Sequence, residues 1–138
     1  MIAVVDTSAV LRMFIPDGPI PDGLEAFFRG VETGANLAIA PELLLVEALN
    51  VVVKKHRREE LTTEEAESLM SLLRQMPIRY YGHLPYGSRA CHLAIETGLS
   101  GYDAIFLALA LDRGVPLFTA DHQLEAVASR KGIGRPRG

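Results

Sequence analysis

Four acidic residues occupy positions from which an α/β chain could handle a metal ion. Asp6 follows directly on Ile2-Ala3-Val4-Val5, and Asp121 closes Leu117-Phe118-Thr119-Ala120-Asp121. Each comes just after a short apolar, β-prone run, where a parallel strand gives way to its helix and where α/β proteins bind ligands. Glu47 lies inside an apolar stretch that contains Leu43, Leu44, Val46, Leu49, Val51, Val52 and Val53, and Asn50, three residues on, shares its helical face. Asp103 precedes eight unbroken apolar residues, Ala104 to Leu111, which read as a helix buried on all sides. Three of the four also have a plainer reading. Asp6-Thr7-Ser8 and Ser100-Gly101-Tyr102-Asp103 are good helix starts, and Glu47 could face solvent. If the helices begin near one sheet edge, the four meet in one cleft. Two charges about 4 Å apart there repel by roughly 4 kcal/mol at an effective dielectric near 20, and a divalent cation removes the difficulty. Oxygen-only donors suit Mg2+ or Mn2+ rather than zinc. A cation so held makes bound water acidic enough to act as a nucleophile.

Elements must bring these residues together. Strands are expected at Ile2 to Val5, Leu37 to Ala40, Ile78 to Tyr81 and Val115 to Thr119. Between them, apolar periodicity places helices after Asp6, from Asp22 to about Val31, from Pro41 to the basic run Lys54-Lys55-His56-Arg57-Arg58, and from the capping box Thr62-Thr63-Glu64-Glu65 to Pro77. Leu69, Met70, Leu72, Leu73 and Met76 serve as the core side of that last helix. A fifth helix from about Tyr86 turns Ala90, Leu93, Ala94 and Ile95 inward and ends at Gly98. The Ala104 to Leu111 helix closes at Gly114, and a last one covers Gln123 to about Ala128. Strands alternating with helices predict a parallel sheet between helix layers, with right-handed crossovers placing the strand-to-helix turns on one edge.

Composition sets the broad class. The 138 residues are 49% hydrophobic, enough for one domain spanning 1–138, with a flexible basic tail over its last eight or so residues. Net charge is −3, the wrong sign for a protein held to nucleic acid by charge alone. Setting the four candidate acids aside leaves 13 acidic against 14 basic residues, so the remaining surface is near neutral. Cys91 is the single cysteine. It excludes an internal disulfide and fits a reducing, cytoplasmic setting. The short apolar N-terminal run stops at Asp6 and is neither a signal peptide nor a membrane anchor.

Four stretches, in order, then resemble the PIN-domain family, and most of all its small single-domain VapC-type toxins. They are Val5-Asp6-Thr7-Ser8-Ala9, Pro41 with Glu47, Asn50 and Val51, Leu99-Ser100-Gly101-Tyr102-Asp103-Ala104, and Leu117-Phe118-Thr119-Ala120-Asp121. The resemblance implies a three-layer α/β/α sandwich with a central parallel sheet. It implies a Mg2+- or Mn2+-dependent endonuclease acting on single-stranded RNA, the toxin of a toxin–antitoxin pair. Asp6, Glu47, Asp103 and Asp121 match the family's acidic residues, as metal ligands and catalytic groups. Thr7, Ser8 and Thr119 match its supporting hydroxyl positions, and Asn50 would orient a carboxylate or the attacking water. Lys54, Lys55, Arg57 and Arg58 are candidates to guide RNA phosphates. A cognate antitoxin and a homodimer are the partners implied, with no membrane. Relatives often place a last strand where Ile133 stands among Gly, Arg and Pro.

Other readings exist. An RNA-processing or DNA-acting nuclease of the same family would need no antitoxin, and a PIN-like scaffold could bind RNA or protein without cutting. A phosphoacceptor receiver domain also gathers carboxylates and Mg2+. It needs an Asp after its middle strand and a Lys after its last, where Tyr80-Tyr81-Gly82 and Thr119-Ala120-Asp121 stand instead.

Overall fold

The computed structural model describes residues 1–134 and Pro136. Two apolar runs form the middle of the sheet: β1 (Ile2–Val5) and β2 (Leu37–Pro41). Ala3, Val4 and Val5 are fully buried, as are Ala38 and Ala40, the continuous burial of parallel strands covered on both faces. β3 (Ile78–Tyr81) pairs with β2, and β4 (Leu117–Phe118) pairs with β1. All pairings are parallel, in the order β3-β2-β1-β4. Around the sheet lie α1 (Thr7–Arg12), α2 (Leu24–Glu32), α3 (Leu43–Arg57), α4 (Thr63–Gln75), α5 (Gly87–Thr97), α6 (Gly101–Arg113) and α7 (His122–Arg130). This is the α/β/α sandwich with a parallel sheet that the strand–helix alternation predicts. The chain winds outward from β1 through β2 to β3, then returns to the far side of β1. The order therefore reverses between β1 and β4, and the crevice at their carboxyl ends is the place for a ligand.

The central helix is α6. Its residues Ala104 and Phe106 to Ala110 are fully buried, and it packs on β1, β2 and α5. Ser100 caps it by accepting the Asp103 amide at 3.1 Å, and Gly114 ends it at φ 62°, a backbone state that glycine adopts without a Cβ penalty. The expected capping box at Thr62 and Glu65 is present on α4. No single described helix is long and apolar enough to cross a membrane.

Several expectations need correction. Pro41 does not open α3 but ends β2, paired with Tyr81. The next amide, Glu42, donates to the Tyr81 carbonyl, so the amide-less edge of Pro41 faces away from β3. Ile95 and Leu72 do not enter the core but are 80% and 49% exposed, and on α3 Val46 and Leu49 of the apolar stretch likewise stay outside, at 59% and 49%. Leu44, Ala48 and Val52 form the buried row of α3, and Leu69 and Leu73 that of α4. A spacing of four residues per row leaves the extra apolar side chains on the outer face. The first residues of the expected basic tail are held by the fold. Lys131 pairs with Glu96, and Ile133 is buried with its amide on the Ala128 carbonyl. Among the described residues no strand forms there; Arg135, Arg137 and Gly138, the rest of the expected tail, lie outside them.

Truncating the largest fully buried side chain tests the role of α6. Phe106→Ala should cost about 3–5 kcal/mol, read as an earlier midpoint in urea or thermal unfolding.

Candidate active site

Burial of Asp6 defines the site. The residue is 3% exposed, at the end of β1 and directly before α1. Its Oδ1 accepts the Thr7 amide at 2.8 Å, and its Oδ2 accepts the hydroxyls of Ser8 at 2.8 Å and Thr119 at 2.7 Å. Each hydroxyl has one hydrogen, and both hydrogens go to Asp6. The 3.2 Å approach of the two hydroxyl oxygens to each other is therefore a contact rather than a further bond. As acceptors the same oxygens take the amides of the following turn: Ala120 donates to Ser8 Oγ and Asp121 to Thr119 Oγ1, both at 3.0 Å. One small network thus joins the ends of β1 and β4 at the reversal point of the sheet.

The other acids surround the same crevice. Asp6, Glu47, Asp103 and Asp121 all line one cavity of about 750 Å³. Glu47, on the first turns of α3, accepts the Thr7 hydroxyl at 2.7 Å through Oε1. Asp121 caps α7 by accepting the Leu124 amide at 2.9 Å through Oδ1. Asp121 therefore caps a helix and lines the cavity at once, since a carboxylate has an oxygen for each. Thr7, Ser8 and Asn50 line the cavity as well, while Thr119 stands behind it, bonded to Asp6 and to the Asp121 amide.

Electrostatics follow from this crowding. Burial pushes the Asp6 carboxyl up to about 7; the Thr119 and Ser8 bonds oppose it, and the charges of Asp103 and Glu47 add to it. Burial also raises Glu47, against the Thr7 bond and with help from Asp103. Asp103 is raised by burial and then by Asp121. No ion pair neutralises any of the four acids among the described residues. An uncompensated, oxygen-only cluster of this kind fits a hard divalent cation. The donor set is open rather than preformed: among the described residues no three acidic, His or Cys groups stand close enough to cage an ion.

The basic run behaves unevenly. Only Arg57 lines the acidic cavity. Lys55 is held elsewhere, by Asp17 at 2.9 Å and Glu60 at 3.7 Å, and Lys54 and Arg58 are exposed away from the cavity lining. Tyr102, which the sequence reading passed over, lines the cavity and is 61% exposed. Its signal was its place beside Asp103, on the first turn of a helix that is buried from Phe106 to Ala110.

Comparison with known proteins agrees with this geometry. Residues 3–130 match the PIN domain family. The chain belongs to that family. It is 29% identical over 123 residues to Ribonuclease VapC3 of Pyrobaculum aerophilum, covering 88% of this chain and 90% of that protein. Among solved structures, PAE2754 from Pyrobaculum aerophilum superposes with a TM-score of 0.61 at 21% identity, covering 91% of this chain and 83% of that one. Mycobacterium tuberculosis VapC20, titled a sarcin-ricin loop cleaving toxin, superposes at 0.65 with 15% identity over 99% of both chains. These last two show the shared PIN fold.

Asp6 also sets the pH dependence of the metal-free protein. Its carboxyl keeps its proton to about pH 7 when folded but has an ordinary value of 3.8. The folded state therefore binds the extra proton between those limits. Stability from this group is full below pH 3.8 and is lost as pH rises through 7. Urea unfolding across that window should show a decline of a few kcal/mol, and Asp6→Asn should remove most of it.

Proposed function

We propose that this chain is an endoribonuclease that hydrolyses phosphodiester bonds of single-stranded RNA with Mg2+ or Mn2+, and that it is the toxin of a toxin–antitoxin pair. The observation that carries this reading is the convergence of Asp6, Glu47, Asp103 and Asp121 on one cavity with no ion-pair partner among the described residues. Membership of the PIN family and the likeness to Ribonuclease VapC3 support the choice of substrate.

Asp6 and Asp103 would hold the cation directly, with Glu47 and Asp121 holding it through water or forming a second position when phosphate arrives. The bound cation supplies an acidic water and charge screening for the phosphate oxygens. The chain's own groups do the rest. Thr7, Ser8 and Thr119 fix the Glu47 and Asp6 carboxylates by the bonds already described, so little reorganisation is needed at the moment of reaction. Asn50, exposed on the cavity wall, would orient the attacking water or a substrate oxygen. An antitoxin segment would cover the cleft, for which exposed Val46 and Leu49 on the cavity lining offer an apolar foothold. A homodimer and a cytoplasmic setting complete the reading.

Labelled RNA tests it. The parent should cut it with Mg2+ or Mn2+ and stop with EDTA. Asp6→Asn should cut at least about a hundredfold more slowly while keeping its folded circular dichroism spectrum. Near-parent cleavage by that variant would refute the assignment.

A further inference from the structure

Two side chains of the acidic cavity have no role in holding the acids. Tyr102 stands next to Asp103 with more than half its surface in solvent. Its ring meets none of the aromatic or cationic partners found elsewhere in the described chain. The ring's face is therefore free to stack on a ligand at the mouth of the acidic cavity. Arg57 is the second. It is exposed, ends α3, and makes no ion pair among the described residues although Glu59 and Glu60 follow closely in sequence. Ten residues separate it from Glu47, about 15 Å along a helix rising 1.5 Å per residue. Asn50 lies between them, two turns from Arg57 on the same side of α3.

A π-face close to the acids and a lone guanidinium some 15 Å along the helix match a particular ligand shape. Bases that are already stacked in a duplex offer no free face, whereas an extended strand offers one at every nucleotide. The guanidinium fork suits a phosphate. Its distance from Glu47 is that of a few nucleotides of extended chain, so it would hold a phosphate remote from the one being cut. Arg57 then sets the direction in which the strand leaves the acids, along α3.

Resting on the nuclease reading above, we infer that the cleft grips single-stranded RNA at two points: Tyr102 stacks on a base beside the scissile phosphate, and Arg57 clamps a phosphate further along α3. Neither residue touches the reacting atoms; both are binding residues.

The test is the affinity of a short fluorescein-labelled single-stranded RNA, read by anisotropy across a salt series, with every protein in the Asp6→Asn background so that the strand stays intact. Tyr102→Ala should bind about tenfold more weakly, the loss of one base–aromatic stack, while Tyr102→Phe, which keeps the ring, should bind like the parent. Arg57→Ala should lower the slope of log affinity against log salt by about 0.7, one phosphate contact on a single strand, and Arg57→Lys should keep the slope. Undiminished affinity in Tyr102→Ala, or an unchanged slope in Arg57→Ala, overturns the inference and leaves the exposed surface to a protein partner. Cleavage by the parent is measured separately, so a strand that binds as described but is never cut refutes the nuclease reading alone.

Discussion

Keeping the Asp6 carboxylate out of water with no basic side chain paired to it among the described residues is the constraint on which the rest of the site depends. A desolvated carboxylate is costly unless hydrogen-bond donors reach it, and three do: the Thr7 amide and the hydroxyls of Ser8 and Thr119. They offset part of the desolvation but leave the carboxyl raised, and neighbouring acids raise it further. The result is a site held in place by neutral donors and short of positive charge. Neutral donors fix geometry while leaving the anion's field available to an incoming ion, which an arginine partner would have cancelled.

The sheet topology explains why these groups meet. Asp6 ends β1 and Thr119 follows β4, and those two strands flank the reversal in strand order. α3 leaves the adjacent β2, so Glu47 comes up one turn into its helix on the same edge. α6 reaches the crevice differently, since it follows α5 rather than a strand. Its all-round burial against β1 and β2 places its first turn, with Asp103, at the cavity. The helix at the centre of the core is thus also the means of delivering one carboxylate.

Much of this was legible in the residues. Unbroken apolar runs ending in Asp6 and near Asp121 marked strands and their ligand-facing ends, and Ala104 to Leu111 announced a buried helix. What was not legible concerned faces and edges. On α3, α4 and α5 the apolar residues outnumber the buried row, so composition alone does not tell that Val46, Leu49, Leu72 and Ile95 stay outside. Pro41 suits a helix start and a strand end equally well, and the pairing of Glu42 with Tyr81 decides between them. The five-residue basic run looked uniform, but Lys55 is captured by Asp17 on a loop nearly forty positions away. Such long-range partners leave no local pattern.

The hydroxyls of Ser8 and Thr119 serve two masters, and this separates chemistry from architecture in an unexpected way. Besides steadying Asp6 they receive the amides of Ala120 and Asp121, and β4 itself is only two residues long. The turn into α7 is therefore pinned by the very atoms that support the acid. A descendant of this chain that drifted out of catalysis could shed its acidic residues and still be obliged to retain both hydroxyls. The supporting positions would then outlive the function they support, and their presence alone would be a poor witness to activity.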